Sequence, residues 1–525
     1  MENRYHLFQY FISILFFFSL FITITLAQDS LYLVGTLSGE SSEQSINYPS
    51  AIGDINNDGF DDFILRKQTG VPSDPTVMEL YLGSSNFDLN PDVIFHFPGN
   101  YYYHYLGSGY GIGDVNNDGY DDFVLVGQIG PITESKVFLY YGGQTIDTIP
   151  VNEFSQPDVV GSRFGDPVVK MGDINKDGYN DFAICADYNW SDEKGYVYLF
   201  WGGDTISWEK SITLTSNTIG DFFGASAANI GDINNDDFDD IAVGAPAGPA
   251  GYDTCKVFIY SGGSQISNIP DTVIISELLR PSEAGKDIKN ANDLNKDGIT
   301  DFCTFWGPGT KIYLNGLQDP LTVGSGYSFD AGGDINGDGY SDLIFGDEWR
   351  IRVYLGADVF DLYYDLNIVD DDSIGFSHYV SFAGDINNDG YDEILAMAPD
   401  FPDPENSLGK LFLFSYHKPT AITNTPDASP AYFHLFQNYP NPFNPSTTIR
   451  YSVPKGESYS QKLVQLKVFD ILGNEVVTLV NQEQLPGEYN VEFNASKYNL
   501  SSGTYFCKLN IKGGGTLLIK MILIK

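Results

Sequence analysis

The chain has 525 residues, more than one ordinary domain needs, and a formal net charge of −42 from 28 basic and 70 acidic side chains. Its 42% hydrophobic and 15% aromatic content is enough to build cores and excludes an acidic disordered chain. Residues 430–525 carry +3 and the remainder −45, so two regions of different character are joined, and the acidic one excludes nucleic acid as a partner, because that binding needs Lys and Arg against phosphates.

In chain order the first element is apolar. MENRYHLFQYFISILFFFSLFITITLAQDS has a weakly positive start at Arg4, a long hydrophobic run, and small residues at Thr25 and Ala27. It reads as a signal peptide of residues 1–27, cleaved before Gln28. Uncleaved, the run is long enough to span a bilayer; cleaved, it leaves no transmembrane anchor. No cysteine follows the cleavage point, which argues against a lipoprotein anchor. The strand-like SLYLVGTL, Ser30 to Leu37, then stands ahead of everything that repeats.

Residues 28–417 are periodic. GDINNDGFDD at Gly53 returns as GDVNNDGYDD at Gly113, GDINKDGYND at Gly172 and GDINNDDFDD at Gly231. NDLNKDGITD at Asn292, GDINGDGYSD at Gly333 and GDINNDGYDE at Gly384 make seven. A fixed period of this kind marks a repeat architecture. Each acidic loop leads into four or five apolar residues, such as FVLVG at Phe123, which predicts a buried strand. An aromatic-rich run ending in glycine follows, as in KVFLYYGG from Lys136, and β-branched and aromatic enrichment favours strand again. Four short strands per unit, seven times over, predict an all-β fold: a seven-bladed β-propeller. The seventh unit runs from KLFLFSY into HKPTAITNTPDASP and lacks an outer strand, so Ser30 to Leu37 is expected to complete it.

The loops themselves are candidate metal sites. With the first aspartate as position 1, positions 1, 3, 5 and 9 carry oxygen side chains, and position 7 offers its carbonyl. The first loop gives Asp54, Asn56, Asp58, Phe60 and Asp62; the second gives Asp114, Asn116, Asp118, Tyr120 and Asp122. The third has Asp173, Asn175, Asp177, Tyr179 and Asp181, and the fourth Asp232, Asn234, Asp236, Phe238 and Asp240. The fifth has Asp293, Asn295, Asp297, Ile299 and Asp301, the sixth Asp334, Asn336, Asp338, Tyr340 and Asp342, and the seventh Asp385, Asn387, Asp389, Tyr391 and Glu393. An all-oxygen set of this size suits Ca²⁺, up to seven ions, one per loop; Mg²⁺ demands a stricter octahedron and holds its waters. Carboxylates this dense repel one another, so ion binding and loop order are expected to be coupled. An EF-hand needs glutamate at position 12, where these loops have Leu65, Leu125, Ile184, Val243, Thr304, Phe345 and Ala396, so that reading fails. The fourth loop, with Asp237 in place of glycine, and the seventh, with Glu393, are expected to be the weaker sites.

Four cysteines, Cys185, Cys255, Cys303 and Cys507, are few for an exported chain, and no disulfide framework is expected. Residues 418–432 read as a linker and 433–525 as a small β-sandwich domain: Pro440, Pro442 and Pro445 forbid helix, VQLKVFDI alternates as a strand, and Asp470 to Gly473 makes a turn. No catalytic constellation stands out. The six histidines show no ligand spacing, H-E-x-x-H and G-x-S-x-G are missing, and GSGYGIG at Gly107 leads into an acidic loop rather than a helix.

Two resemblances follow from these motifs. The acidic loops, with Phe223-Gly224 and Gly244-Ala245-Pro246 in FFGASAANIGDINNDDFDDIAVGAPAG, resemble FG-GAP repeats of integrin α-subunit propellers. That family implies calcium loops on one face and partner binding on the other. FHLFQNYPNPFNPSTTIRYSVP (Phe433 to Pro454), LKVFDILGNEVVTLV, LSSGTYFCKLNIKG and LLIKMILIK resemble the type A C-terminal sorting domain of type IX secretion, implying export and recognition by that machinery. The expectation is a monomeric, secreted or surface-held adhesion module whose partner is a surface protein. A lectin-like binder of polysaccharide is the alternative, using Trp190, Trp208 or the YYYHY of Tyr101 to Tyr105; a third is a glycan- or lipid-acting hydrolase.

Overall fold

The computed structural model describes residues 30–39, 45–71, 74–96, 104–129, 134–156, 163–187, 193–216, 218–246, 254–276, 283–307, 309–324, 326–347, 349–370, 375–401, 408–417, 434–435, 438, 440–453, 462–471, 473–485, 487–498, 500–511 and 515–525. The expected signal peptide and linker lie outside these residues. The chain divides into two compact units, Met1–Thr420 and Ala421–Lys525.

The first unit consists of seven four-stranded antiparallel sheets, hereafter blades one to seven in the order of their acidic loops. Blade one runs Ile46–Gly53, Asp62–Val71, Asp74–Tyr81, Val93–Phe95, and the next five repeat the pattern, down to Ser328–Gly333, Asp342–Asp347, Arg350–Tyr354 and Leu366–Val369 in blade six. Every acidic loop joins the first strand of its blade to the second. Blade seven takes three strands from its own repeat, Tyr379–Gly384, Glu393–Ala398 and Lys410–His417. Its fourth is Ser30–Ser38, paired antiparallel from Ser30 opposite His417 to Ser38 opposite Lys410. The orphan N-terminal strand thus completes the last blade, as the missing strand of the seventh repeat requires.

The continuous apolar runs after the loops have a direct cause. A second strand lies between neighbouring blades on both faces, so alternate side chains go to opposite cores. Phe63 and Leu65 join a cluster with Leu395, Met397 and Leu413 of blade seven. Ile64, between them, packs with Phe123, Leu125 and Tyr140 of blade two. The same sharing joins each further pair of blades, giving seven inter-blade cores in all among the described residues. Each large apolar side chain so buried contributes on the order of 1.5–3 kcal/mol. The ring closes because blade seven packs on blade one in the same way.

The second unit is a sandwich. A three-stranded sheet, His434–Leu435, Ser446–Val453 and Gly487–Asn494, faces a four-stranded one in the order Glu475–Gln484, Lys462–Asp470, Gly503–Ile511, Gly515–Leu523. Ile449, Tyr451 and Phe493 of the first sheet share one core with Leu466, Val468 and Leu509 of the second. The expected turn is present: Gly473 N–H donates to Asp470 O at 3.0 Å, and Asn474 N–H to the Asp470 carboxylate at 2.9 Å. All four cysteines are buried and none forms a disulfide. Among the described residues no helix is long and apolar enough to cross a membrane.

Candidate metal centres

In the first loop the position-1 carboxylate organises the turn. Asp54 Oδ1 accepts the Asp58 N–H at 3.1 Å, and Oδ2 accepts the Gly59 N–H at 2.8 Å. Asn56 Oδ1 accepts the Asp58 N–H at 3.0 Å, and Asp58 Oδ1 accepts the Phe60 N–H at 3.1 Å. These bonds wrap the chain so that positions 1, 3 and 5 turn inward, while each oxygen keeps a second acceptor direction. Two residues per loop take left-handed backbone. Position 6 is Gly59 at φ 89°, and Asp237 takes the same role at φ 74° in the fourth loop. Position 4 is Asn57 at φ 52° and Asn117 at φ 58°, with Lys176 and Lys296 also there, a second constraint that the position-6 glycine signal does not reveal.

Position 9 is buried in every blade. Asp62 Oδ2 accepts the Ile55 N–H at 3.0 Å, and Oδ1 accepts the Gly83 N–H of the next hairpin at 2.8 Å. Asp122 and Asp342 make the same pair of bonds. Burial pushes Asp62 up to about 8, against the two amides and with Asp54 and Asp58 adding to the rise. Burial likewise pushes Asp342 and Glu393 up to about 8 and Asp122 and Asp181 up to about 7. In blade five the hairpin reads Tyr313-Leu314-Asn315, with no glycine where Gly83 stands, and Asp301 Oδ1 is buried without a hydrogen-bond partner.

The position-3 asparagines divide the loops. Asn116, Asn175, Asn295 and Asn336 accept the position-5 amide as Asn56 does. In the fourth loop the Asn234 carboxamide instead donates to Asp240 Oδ1 at 3.0 Å, and in the seventh Asn387 donates to Glu393 Oε1 at 2.7 Å. In these two loops the N–H donor lies against position 9, whereas the Asn116, Asn295 and Asn336 carboxamides donate to the position-5 carboxylate. Among the described residues no group of three or more His, Cys, Asp or Glu side chains is placed to hold a metal ion as it stands. In the first loop, position 9 turns both carboxylate oxygens to backbone amides. The donor chemistry still fits calcium: the loops present oxygen alone, and the buried Asp301 oxygen lacks a partner.

The composition also hides a clasp at position 8. Asp61 N–H donates to Asp385 O at 3.1 Å, and Asp61 Oδ2 accepts the Asp385 N–H at 2.9 Å, tying the first loop to the seventh. Asp392 does the same to Asp334, and Asp121 N–H donates to Asp54 O. Gly384 and Gly53 allow this approach: a Cβ there would come within 2.2 Å of Asp61 and 2.1 Å of Asp121. Burial raises the Asp61 carboxyl, with the Asp385 amide opposing and Asp54, Asp121 and Asp385 adding to the rise. The sixth, seventh, first and second loops are therefore coupled electrostatically.

Of the aromatics expected to bind sugar, Trp208 is half-buried. It packs with Phe154, Phe164, Tyr198 and Phe200, ring centroids 5.0–6.4 Å away, because the neighbouring inter-blade core has room for an indole. Trp190 and Tyr101 to Tyr103 lie outside the described residues, and of Tyr105 only the main chain is described.

Comparison with known proteins agrees with this construction. Residues 223–260 match the FG-GAP repeat, and residues 437–525 match a secretion system C-terminal sorting domain. The chain is 25% identical over 239 residues to integrin alpha-V of Gallus gallus, covering 42% of this chain and 22% of that protein. It is 26% identical over 249 residues to integrin alpha-5 of Xenopus laevis, covering 45% and 22%. To integrin alpha-8 of Mus musculus it is 30% identical over 203 residues, covering 34% and 18%. The chain thus spans about a fifth of the length of these curated relatives.

Proposed function

We propose that this FG-GAP repeat protein, which carries a type IX secretion C-terminal sorting domain, is a calcium-ordered binding module that acts outside the cell. The sorting domain directs it to the surface or the exterior. The propeller is its working part, and adhesion to a surface protein or polysaccharide is its role. The observation that carries the calcium reading is the sevenfold recurrence of one loop in which a buried position-9 carboxylate sits beside the position-1 and position-5 acids. A divalent ion favours the ionised form of all three and relieves the cost of burying the position-9 carboxylate. Asp54, Asn56, Asp58, the Phe60 carbonyl and Asp62 would hold it in the first loop, with the equivalent residues in the others. The loops whose asparagines accept the position-5 amide are the stronger sites; the fourth and seventh, whose carboxamides face position 9, are the weaker.

The test is retention of purified full-length protein on intact cells and on immobilised extracellular material. Binding that chelation removes and calcium restores, with magnesium ineffective, is the expected result. Retention indifferent to chelation would overturn calcium as the organiser, and no retention on any surface would overturn the adhesion role.

A further inference from the structure

The face opposite the acidic loops carries a run of aromatic rings that reaches from the core between blades seven and one out to solvent. Tyr327 immediately precedes the first strand of blade six, His378 and Tyr379 stand at the start of the first strand of blade seven, and Tyr48 is the third residue of the first strand of blade one. The acidic loops follow the other ends of these same strands, so rings and loops occupy opposite faces. The rings touch in series: Tyr327 to His378 at 5.1 Å between centroids, His378 to Tyr379 at 5.1 Å, and Tyr379 to Tyr48 at 5.5 Å. Tyr379 roots the series against the inter-blade core. The Arg66 guanidinium caps it, 4.4 Å from the Tyr48 centroid.

Two details set this ridge apart from packing. Its ends are open, Tyr327 being 63% and Tyr48 39% exposed. Tyr48 is also held at φ 52°, where a bulky side chain is an outlier, and the strand register shifts between Asn47 and Ser50 to accommodate it. That conformation lays the Tyr48 ring against Tyr379, with a hydrogen bond between the two side chains.

The ridge adjoins a cavity of about 720 Å³ lined by the first strands of six blades. Ser50 and Asp330, two and three residues beyond Tyr48 and Tyr327, are part of its wall. The wall is polar: Lys289 Nζ lies 3.9 Å from Asp287 and 3.7 Å from Asp330, separations long enough to admit a bridging hydroxyl.

We infer that the ridge of Tyr327, His378, Tyr379 and Tyr48, with the adjoining cavity wall, binds a polysaccharide chain. Sugar rings present C–H faces that stack on tyrosine, and hydroxyls that take paired acids and ammonium groups, and both surfaces are present side by side. An apolar peptide anchor would strip water from the lysine and aspartates of the cavity wall and offer them no hydrogen bond in its place. The inference rests on the binding-module reading and names the ligand class for it.

The test is a panel of immobilised cellulose, xylan, chitin, pectin and alginate, probed with calcium-loaded full-length protein and two variants. Tyr327→Ala removes an exposed ring. Tyr48→Gly removes a ring while keeping a residue at ease with positive φ. Binding to at least one polysaccharide, weakened tenfold or more in both variants with unchanged melting temperature, is the expected result. Polysaccharide binding indifferent to both variants overturns the ridge, and binding to none of the panel overturns the ligand class. In either case calcium-dependent retention on cells would leave the binding-module reading standing, and a protein captured through Tyr327 would replace the sugar as ligand.

Discussion

Blades five and six offer a matched pair for testing what the buried position-9 carboxylate does. Asp342 accepts two backbone amides, Ile335 and Gly356, both at 2.8 Å. Asp301 accepts one, Leu294 at 2.9 Å, and its Oδ1 has no partner. Replacing either residue with alanine strands the amides it served, at about 1–3 kcal/mol for each buried donor. Asp342→Ala should therefore cost about 2–6 kcal/mol and Asp301→Ala about half as much, with Asp342→Asn intermediate because it keeps one carbonyl oxygen. Hydrogen exchange read at single amides is the suitable assay, since a chain of seven blades need not unfold in one step. Exchange of the Ile335 and Gly356 amides should accelerate at least tenfold in Asp342→Ala, while in Asp301→Ala only Leu294 responds. Equal losses in the two variants, or an acceleration under tenfold at Ile335 and Gly356, would refute the assignment of position 9 as a double acceptor.

Removing residues 28–38 takes away the strand paired with Lys410–His417, so the melting temperature should fall sharply and the exposed edge should promote association; an unchanged melting curve would contradict the closure. In metal-stripped protein, burial holds Asp122 near 7 against the Gly142 and Val115 amides, with Asp118 and Asp114 adding to the rise. A carboxyl raised above its unfolded value of about 3.9 contributes stability that is intact below that value and lost as pH climbs through about 7. Metal-stripped protein should accordingly lose stability between about pH 4 and 7, and saturating calcium should abolish or reverse that slope; denaturant midpoints across the range check it. The four buried thiols should stay unreactive toward an aromatic disulfide reagent in the native state and titrate as four on denaturation.

Much of the ring was legible in the sequence because its signals are local and repeated. Phe63 to Leu65 read as a buried strand from a short apolar run bounded by turns, and the left-handed position 6 read from glycine, with Asp237 as the one tolerated exception. The orphan strand at Ser30 was legible by counting strands per repeat. The tail's turn at Asp470 to Gly473 was legible from its residue types. Other features depend on contacts between repeats and leave no pattern along the chain. The Asp61 clasp links residues 324 positions apart, so nothing in GDINNDGFDD distinguishes position 8 from position 9. Trp208 is an indole in a loop by sequence and meets the core only once blades two and three are packed together. The ridge is more hidden still, since Tyr48 and Tyr379 become neighbours only when blade seven packs on blade one.

The central claim is that divalent ions order the acidic loops of a closed ring. Isothermal titration of calcium into metal-stripped full-length protein, paired with melting curves before and after, tests it most directly. The account predicts saturable heat with a stoichiometry above one and at most seven, and a higher melting temperature at saturation. The absence of heat together with an unmoved melting temperature would contradict it.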